Sequence, residues 1–209
     1  MTRAGYILEA DPRLWINVPI EFPTDEWTSA EQWADEIPAR LASGLDETDE
    51  RVAWFRGVTR AIVKVPLPND AVRERFWYFP VDRPQVALAH LTLIPRDILG
   101  SEPLDDLALS GGPTRVAAPR LDRLESPVFG EVLRGLEAHE SGAPQPEQGA
   151  PLDASAEPAV VGVVRLVGEA SGMVFLLEVV DPDLAKIGEM LDDLEALFAS
   201  IEISDTDAP

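Results

Sequence analysis

The chain has no cysteine, only two histidines and two lysines, and no uninterrupted apolar run of membrane-spanning length. The missing thiol excludes disulfides, thiolate metal centres and a cysteine nucleophile together. A transmembrane helix needs about 20 consecutive apolar residues, so none is expected. The opening Met1-Thr2-Arg3-Ala4-Gly5-Tyr6 has no continuous apolar core and no small-residue cleavage site, and Asp11-Pro12 arrives too early for a secretory signal. A cytoplasmic protein is the resulting expectation. The phosphate-cradling P-loop, the G-x-G-x-x-G fingerprint, the G-x-S-x-G elbow and the H-E-x-x-H zinc motif are also missing. A metal site on His90 and His139 would require both to converge with a carboxylate, and their spacing gives no reason for that. The acids Asp46, Glu47, Asp49 and Glu50 lack the alternation and central glycine of an EF-hand loop, and read as helix N-terminal acids favoured by the macrodipole. No catalytic residue, metal or cofactor is therefore expected.

What is abundant is negative charge. The formal net charge is -21 over 209 residues, which disfavours nucleic acid and anionic membrane surfaces through long-range repulsion. The excess is uneven: residues 1–139 carry -8 and residues 140–209 carry -13. A basic protein partner would find its counterpart in that second part; the same acids would also serve as a solubility device. Fifteen arginines against two lysines, with abundant Ala, Gly and Pro, are the composition of a GC-rich genome.

At 45% apolar residues the chain can bury a sizeable core, and its length suits one domain. Leu14 to Val18 reads as a short strand closed by Pro19 and Pro23. A helix follows, capped by Thr28 with Glu31 or by Ser29 with Gln32. Ala30, Trp33, Ile37 and Leu41 form its apolar stripe, with a kink or break expected at Pro38 and an end at Gly44. Asp46 to Lys64 predicts a second helix, capped by Thr48 or Asp49, with Val52, Phe55, Thr59 and Ile62 on one face. Arg75 to Phe79 and Val86 to Ile94 predict a hairpin around Asp82-Arg83-Pro84. In its second strand both alternate sets, Leu88-His90-Thr92-Ile94 and Ala87-Ala89-Leu91-Leu93, are mostly apolar, so cover on both faces is expected.

From Pro95 to Pro113 the chain reads as loop, with a helical turn at Leu104 to Leu109 and a turn at Ser110-Gly111-Gly112-Pro113. Thr114 to Ala118 predicts a short strand. Val128 to Glu137 fits an edge strand and an amphipathic helix equally. Residues 140–158 hold four prolines and one sizeable apolar residue, Leu152, too little burial to offset ordering, and read as a mobile loop within one domain. Val160–Val167 and Met173–Val180 then predict two central strands around a turn at Gly168–Gly172. A helix follows from Asp181-Pro182, with its stripe at Leu184, Ile187, Leu191, Leu194, Phe198 and Ile201. Residues 204–209 read as a disordered tail. The fold class predicted is α+β: a mainly antiparallel sheet covered by helices, like an α/β/α sandwich, in a single domain over 1–209.

Two groups of side chains are candidates for ligand or partner. Arg56, Arg60 and Lys64 recur at i, i+4 and i+8 as the one basic stripe. It would hold an anion or, with His90, serve a small-molecule binder or enzyme in a pocket between the sheet and the N-terminal helices, or it would neutralise the protein's own acids at Asp49 or Glu50. Phe76-Trp77-Tyr78-Phe79 must point alternately to opposite faces. One pair therefore lies outside the core unless helices cover both faces; Trp77 and Phe79 are assigned to a partner surface, with Asp192 and Asp193 of the acidic last helix. A third option is a homodimer formed through an exposed edge strand.

The early strand near a tryptophan (Leu14 to Pro23, Trp27), the helix, the strand meander, and the closing strand, strand, helix and Ser200-Ile201-Glu202-Ile203 follow the element order of the PsbP-like fold, which the chain resembles. That group includes photosystem extrinsic subunits, a Ran-binding import factor and secreted lipoproteins. The resemblance implies an antiparallel sheet sandwiched by helices, with binding or accessory roles more common than catalysis; it transfers no functional residue.

Overall fold

The two most apolar runs of the chain lie side by side in the middle of a seven-stranded sheet. The structure, a computed structural model, describes residues 5–41, 50–80, 85–109, 114–141 and 159–204. In chain order its elements are β1 (Gly5–Leu8), β2 (Trp15–Asn17), α1 (Ala30–Leu41), α2 (Glu50–Ile62), β3 (Val72–Tyr78), β4 (Ala87–Pro95), α3 (Arg96–Leu99), α4 (Leu104–Ala108), β5 (Arg120–Ser126), β6 (Gly130–Ser141), β7 (Ala159–Ala170), β8 (Met173–Asp181), α5 (Leu184–Ala199) and β9 (Ile201–Ser204). The sheet order is β2-β3-β4-β8-β7-β6-β5, antiparallel throughout, and β1 pairs with β9 as a separate ribbon. Two meanders, β2-β3-β4 and β5-β6-β7-β8, thus meet at the β4–β8 seam. The fold is the α+β class expected from the sequence.

Both faces of the sheet are covered. On one, α5 and the β1–β9 ribbon pack on Leu91, Leu166, Phe175 and Leu177, with Met190, Leu194, Phe198 and Ile201 wholly buried among them. On the other, α1 and α2 bury Trp33, Phe55 and Ile62 against Trp77 and Phe79. Further along that same face α3 and α4 close over Leu133, Val167 and Val174. Gly135 permits the close approach of α4: a Cβ there would lie 1.9 Å from the Ala108 carbonyl oxygen. Each large apolar side chain removed from water contributes about 1.5–3 kcal/mol, which is why alternation on both faces decides which strands are central.

Several local expectations change. Pro38 lies inside α1, which runs on to Leu41 without a break. Its missing N–H leaves the Ala34 carbonyl without the usual intrahelical donor, and the Thr59 hydroxyl of α2, fully buried, donates to that oxygen at 2.8 Å. Of the two caps expected for α1, Ser29 with Gln32 is the one that forms: Ser29 Oγ accepts from the Gln32 N–H, while the Gln32 amide oxygen accepts from the Thr28 N–H. Gly168 lies within β7, and the β7–β8 turn is Ser171-Gly172, with φ of +50° and +73°, the left-handed pair of a two-residue hairpin. The cap of α5 is Asp183, which accepts from the Ala185 and Lys186 N–H groups; Leu184 is half exposed and Ile201 belongs to β9. Residues 128–137 fall mostly in β6, one strand in from the edge, and the edge strand is β5. The strand expected at Thr114–Ala118 reduces to one bridge, Arg115 to His139. The caps Thr48 and Asp49, the helix end at Gly44, the turns at 82–84 and 110–113, most of the 140–158 loop and most of the 204–209 tail lie outside the described residues.

The Thr59–Ala34 contact yields a double-mutant test. Thr59→Val keeps the shape but leaves the Ala34 carbonyl without its donor, and should cost about 1–3 kcal/mol. In a Pro38→Ala background, where residue 38 supplies its own N–H, the same change should cost clearly less. Equal costs in denaturant melts of the two backgrounds would refute this account of Pro38.

Candidate functional site

Between the α1–α2 cover and the α3–α4 cover, one row of polar side chains crosses the sheet. Strand register places Arg75 opposite His90, His90 opposite Glu178, Glu178 opposite Arg165, and Arg165 opposite Gly135. All share one face, since residues directly opposite in an antiparallel pair point the same way. The row continues diagonally through Glu137 and His139 to Arg115.

Most of its charges are neutralised inside the row. Arg165 Nε donates to Glu178 at 2.6 Å, and its guanidinium also lies 3.7 Å from Glu137. Arg115 Nε donates to Glu137 at 3.0 Å; the Glu137 side chain is 1% exposed, so these two arginines offset its desolvation. Arg75 is held differently. It is buried, and donates to the carbonyls of Val65 at 3.0 Å and Pro19 at 3.2 Å. It thereby ties the chain after α2 and the chain after β2 to the sheet.

Two nitrogens of the row are buried without a hydrogen-bond partner, Arg75 Nε and His90 Nε2. Burial, reinforced by the Arg75 guanidinium, pushes the imidazole down from 6.5 to about 4, so the ring is neutral at physiological pH. His90 lines a groove of about 410 Å³ where the chain after α2 overhangs the starts and ends of β4 and β8, a size within the range of small-molecule sites. Its walls are apolar: Val65, Val86 and Val180 are 39%, 38% and 50% exposed, and three such residues on one groove are a patch rather than scatter. Glu178 and Asp181 complete the floor. Asp181 is itself paired, 2.9 Å from Lys186 Nζ, and that ammonium also donates to the Val86 carbonyl at 3.2 Å.

The residues singled out in the sequence disperse. Arg56 and Arg60 are exposed on α2, and Lys64 is exposed beyond its end. Arg60 pairs with Asp35 of α1 at 2.7 Å, so the neutralising role holds there with a different acid from those expected. Arg60 and Lys64 border a depression between α1 and α2 with Glu31 and Asp35, and none of the three basic residues lines the His90 groove. The joint arginine–histidine pocket is therefore corrected to a groove with His90 alone. Trp77 and Phe79 are also corrected: at 0% and 6% exposure they are core residues under α1 and α2, because helices cover both faces of β3. Asp192 is exposed on α5. Asp193 instead accepts a 2.5 Å hydrogen bond from Tyr78 and is part of the α5–sheet contact. Arg75, Arg165, Glu178 and Glu137 were passed over. The signal for Arg165 and Glu178 is a charged residue inside an otherwise apolar strand run, on the face that His90 occupies; Arg75 and Glu137 stand among other charged residues of β3 and β6 and carry no such mark.

Among the described residues no three His, Asp or Glu side chains converge as a metal site, and no helix is long and apolar enough to cross a membrane. No protein-family model and no curated protein matches the chain.

The lowered His90 value has a sign that can be checked. Between about 4 and 6.5 the unfolded chain binds a proton at this position that the folded chain does not. Stability therefore falls as pH drops through that window and is regained above it. Titration of the His90 ring by NMR should give a midpoint near 4, and His90→Phe should flatten this segment of the stability profile. A midpoint near 6.5 would contradict the buried, Arg75-facing environment.

Proposed function

We propose that this protein is a binding module that takes a small molecule in the groove over β4 and β8. The observation that carries this is the convergence of three half-exposed valines, Val65, Val86 and Val180, on a floor containing the neutral imidazole of His90. An apolar concavity with one polar handle is the usual composition of a small-molecule site. Binding is favoured over turnover by what borders the groove. Its lining has no hydroxyl or thiol to act as nucleophile, and both its carboxylates are engaged by Arg165 and Lys186 rather than by His90. A general base needs a partner to orient it and an acceptor within reach. The accessory role implied by the resemblance to PsbP-like proteins is consistent with such a module.

The test is a fragment screen followed by groove blockage. Val180→Arg places a long side chain across the mouth from an exposed position, so folding should be kept. Fragments that bind the unaltered chain should lose at least about tenfold in affinity, about 1.4 kcal/mol. Saturable fragments indifferent to Val180→Arg, or none at all, would remove the reading.

A second reading, recognition of a basic protein partner, is supported by Asp192, exposed on α5; the nearby Glu189 is exposed too, and accepts a hydrogen bond from Gln85 at 3.3 Å. Asp192→Lys is the clean probe, because Asp193 is committed to Tyr78. A stoichiometric partner captured by the unaltered chain should be lost with Asp192→Lys, and retention would exclude α5 as its docking surface.

A further inference from the structure

We infer that the groove selects an uncharged ligand, and that the ion pairs beneath and beside it, above all Asp181–Lys186, set this preference. The inference rests on the small-molecule reading of the same groove and adds the class of molecule it takes. Two of its lining residues carry formal charge, Glu178 and Asp181, and each already has a partner. Arg165 holds Glu178 through Nε at 2.6 Å. Lys186 holds both Asp181 oxygens, at 3.0 and 2.9 Å, and is kept at the groove's end by the Val86 carbonyl. The remaining cation nearby, Arg75, does not line the groove and spends its terminal N–H groups on the Val65 and Pro19 carbonyls.

A ligand cation entering this space would have to compete with Lys186 or Arg165 for a carboxylate. A ligand anion would meet the Glu178 and Asp181 oxygens before reaching any guanidinium. In either case the ligand gives up its hydration without gaining a free counter-charge, which is the costly situation for a charge leaving water. An uncharged, mainly apolar molecule avoids that cost. Its body lies against Val65, Leu67, Val86 and Val180, and its polar group turns to the histidine edge of the floor. The imidazole suits this role because, as a neutral ring, it can donate or accept according to tautomer.

The experiment uses three probes with one rigid body and different heads: 2-naphthamide, 2-naphthoate and 2-naphthylmethylammonium. Each is titrated into the full chain at neutral pH and followed by amide chemical shifts. The amide should saturate, with shifts centred on residues 86–90 and 178–181, and bind at least about tenfold more tightly than either charged probe. Lys186→Met frees the Asp181 carboxylate, and should raise ammonium affinity about tenfold while leaving amide affinity nearly unchanged. That gain of binding is an outcome that simple loss of structure cannot produce. A charged probe that binds the unaltered chain as well as the amide overturns the selectivity while the groove reading stands. No saturable shift with any probe, or saturation unaffected by Val180→Arg, removes the groove reading and this inference with it.

Discussion

The antiparallel pairing of β4 with β8 is the constraint on which the rest of the molecule depends. It joins strands about eighty residues apart in sequence, from Ala89 opposite Val179 to Pro95 opposite Met173, and turns two separate meanders into one sheet. Neither meander can bury both faces alone. Once joined, Leu91 and Leu177 face α5 and the β1–β9 ribbon, while Leu88 and Ile94 meet the N-terminal helices and the α3–α4 pair on the other side. A one-residue slip would exchange every side chain between these environments. It would move His90, Glu178 and their neighbours into a fully apolar core, so register is enforced by the cost of burying charge as well as by apolar packing.

The polar row follows from that register. Across four strands it reads cation, imidazole, anion, cation, and Glu137 extends it from the fifth. Such a row would be ruinous if unpaired, and replacing it with apolar residues would stabilise as well or better. Its effect is to keep one strip of an otherwise apolar sheet from closing. α2 ends at Ile62, α4 packs further along at Gly135, and the carbonyls of Val65 and Pro19 are drawn down onto Arg75. The groove exists because these covers stop at the edges of the row. Arg75 shapes it indirectly, by anchoring the overhanging segment after α2, and its charge adds to the larger effect of burial in lowering the pKa of the neighbouring imidazole.

The sequence made the layered architecture legible because the alternation in Ala87–Ile94 is apolar on both sides, and because Val160–Val167 and Met173–Val180 are continuous. Those patterns report burial on two faces, and the structure has it. The same fact decides the aromatic run: Trp77 and Phe79 needed a second helical cover, which α1 and α2 provide. What was illegible depended on contacts between distant residues. β5, Arg120–Ser126, sets charged residues on either side of Leu121 and Leu124, as a guarded sheet edge does, but its composition alone resembles a loop. Pro38 reads as a breaker until Thr59 is placed beside Ala34. β1 is a strand only because Ile201–Ser204 lies against it. The candidate site was partly visible, since His90 stood out in an apolar strand, but its partners were not. Glu178 and Arg165 each looked like an isolated interruption, and only register makes them a set. The i, i+4 spacing of Arg56 and Arg60 suggested convergence, yet a helix stripe need not face the sheet, and this one faces solvent.

The whole-molecule charge and the local charge of the groove point to different things. A net charge of -21 produces a field that draws cations toward the surface. Beyond about 8 Å at physiological salt that field is largely screened, and it affects encounter more than the final contact. Inside the groove the deciding quantity is the number of unpaired formal charges that a ligand would touch. With Glu178 and Asp181 both held by cations of the same chain, that number is zero. An acidic protein can therefore present a site indifferent to cations, provided its few buried acids are matched one by one. Of the two lysines in the chain, Lys186 does this at the groove's mouth. It sits one turn into α5, beside the Asp183 cap, where the helix dipole disfavours a cation. Asp181 and the Val86 carbonyl supply the compensation, so a locally unfavourable position is held by these contacts with the ends of β8 and β4.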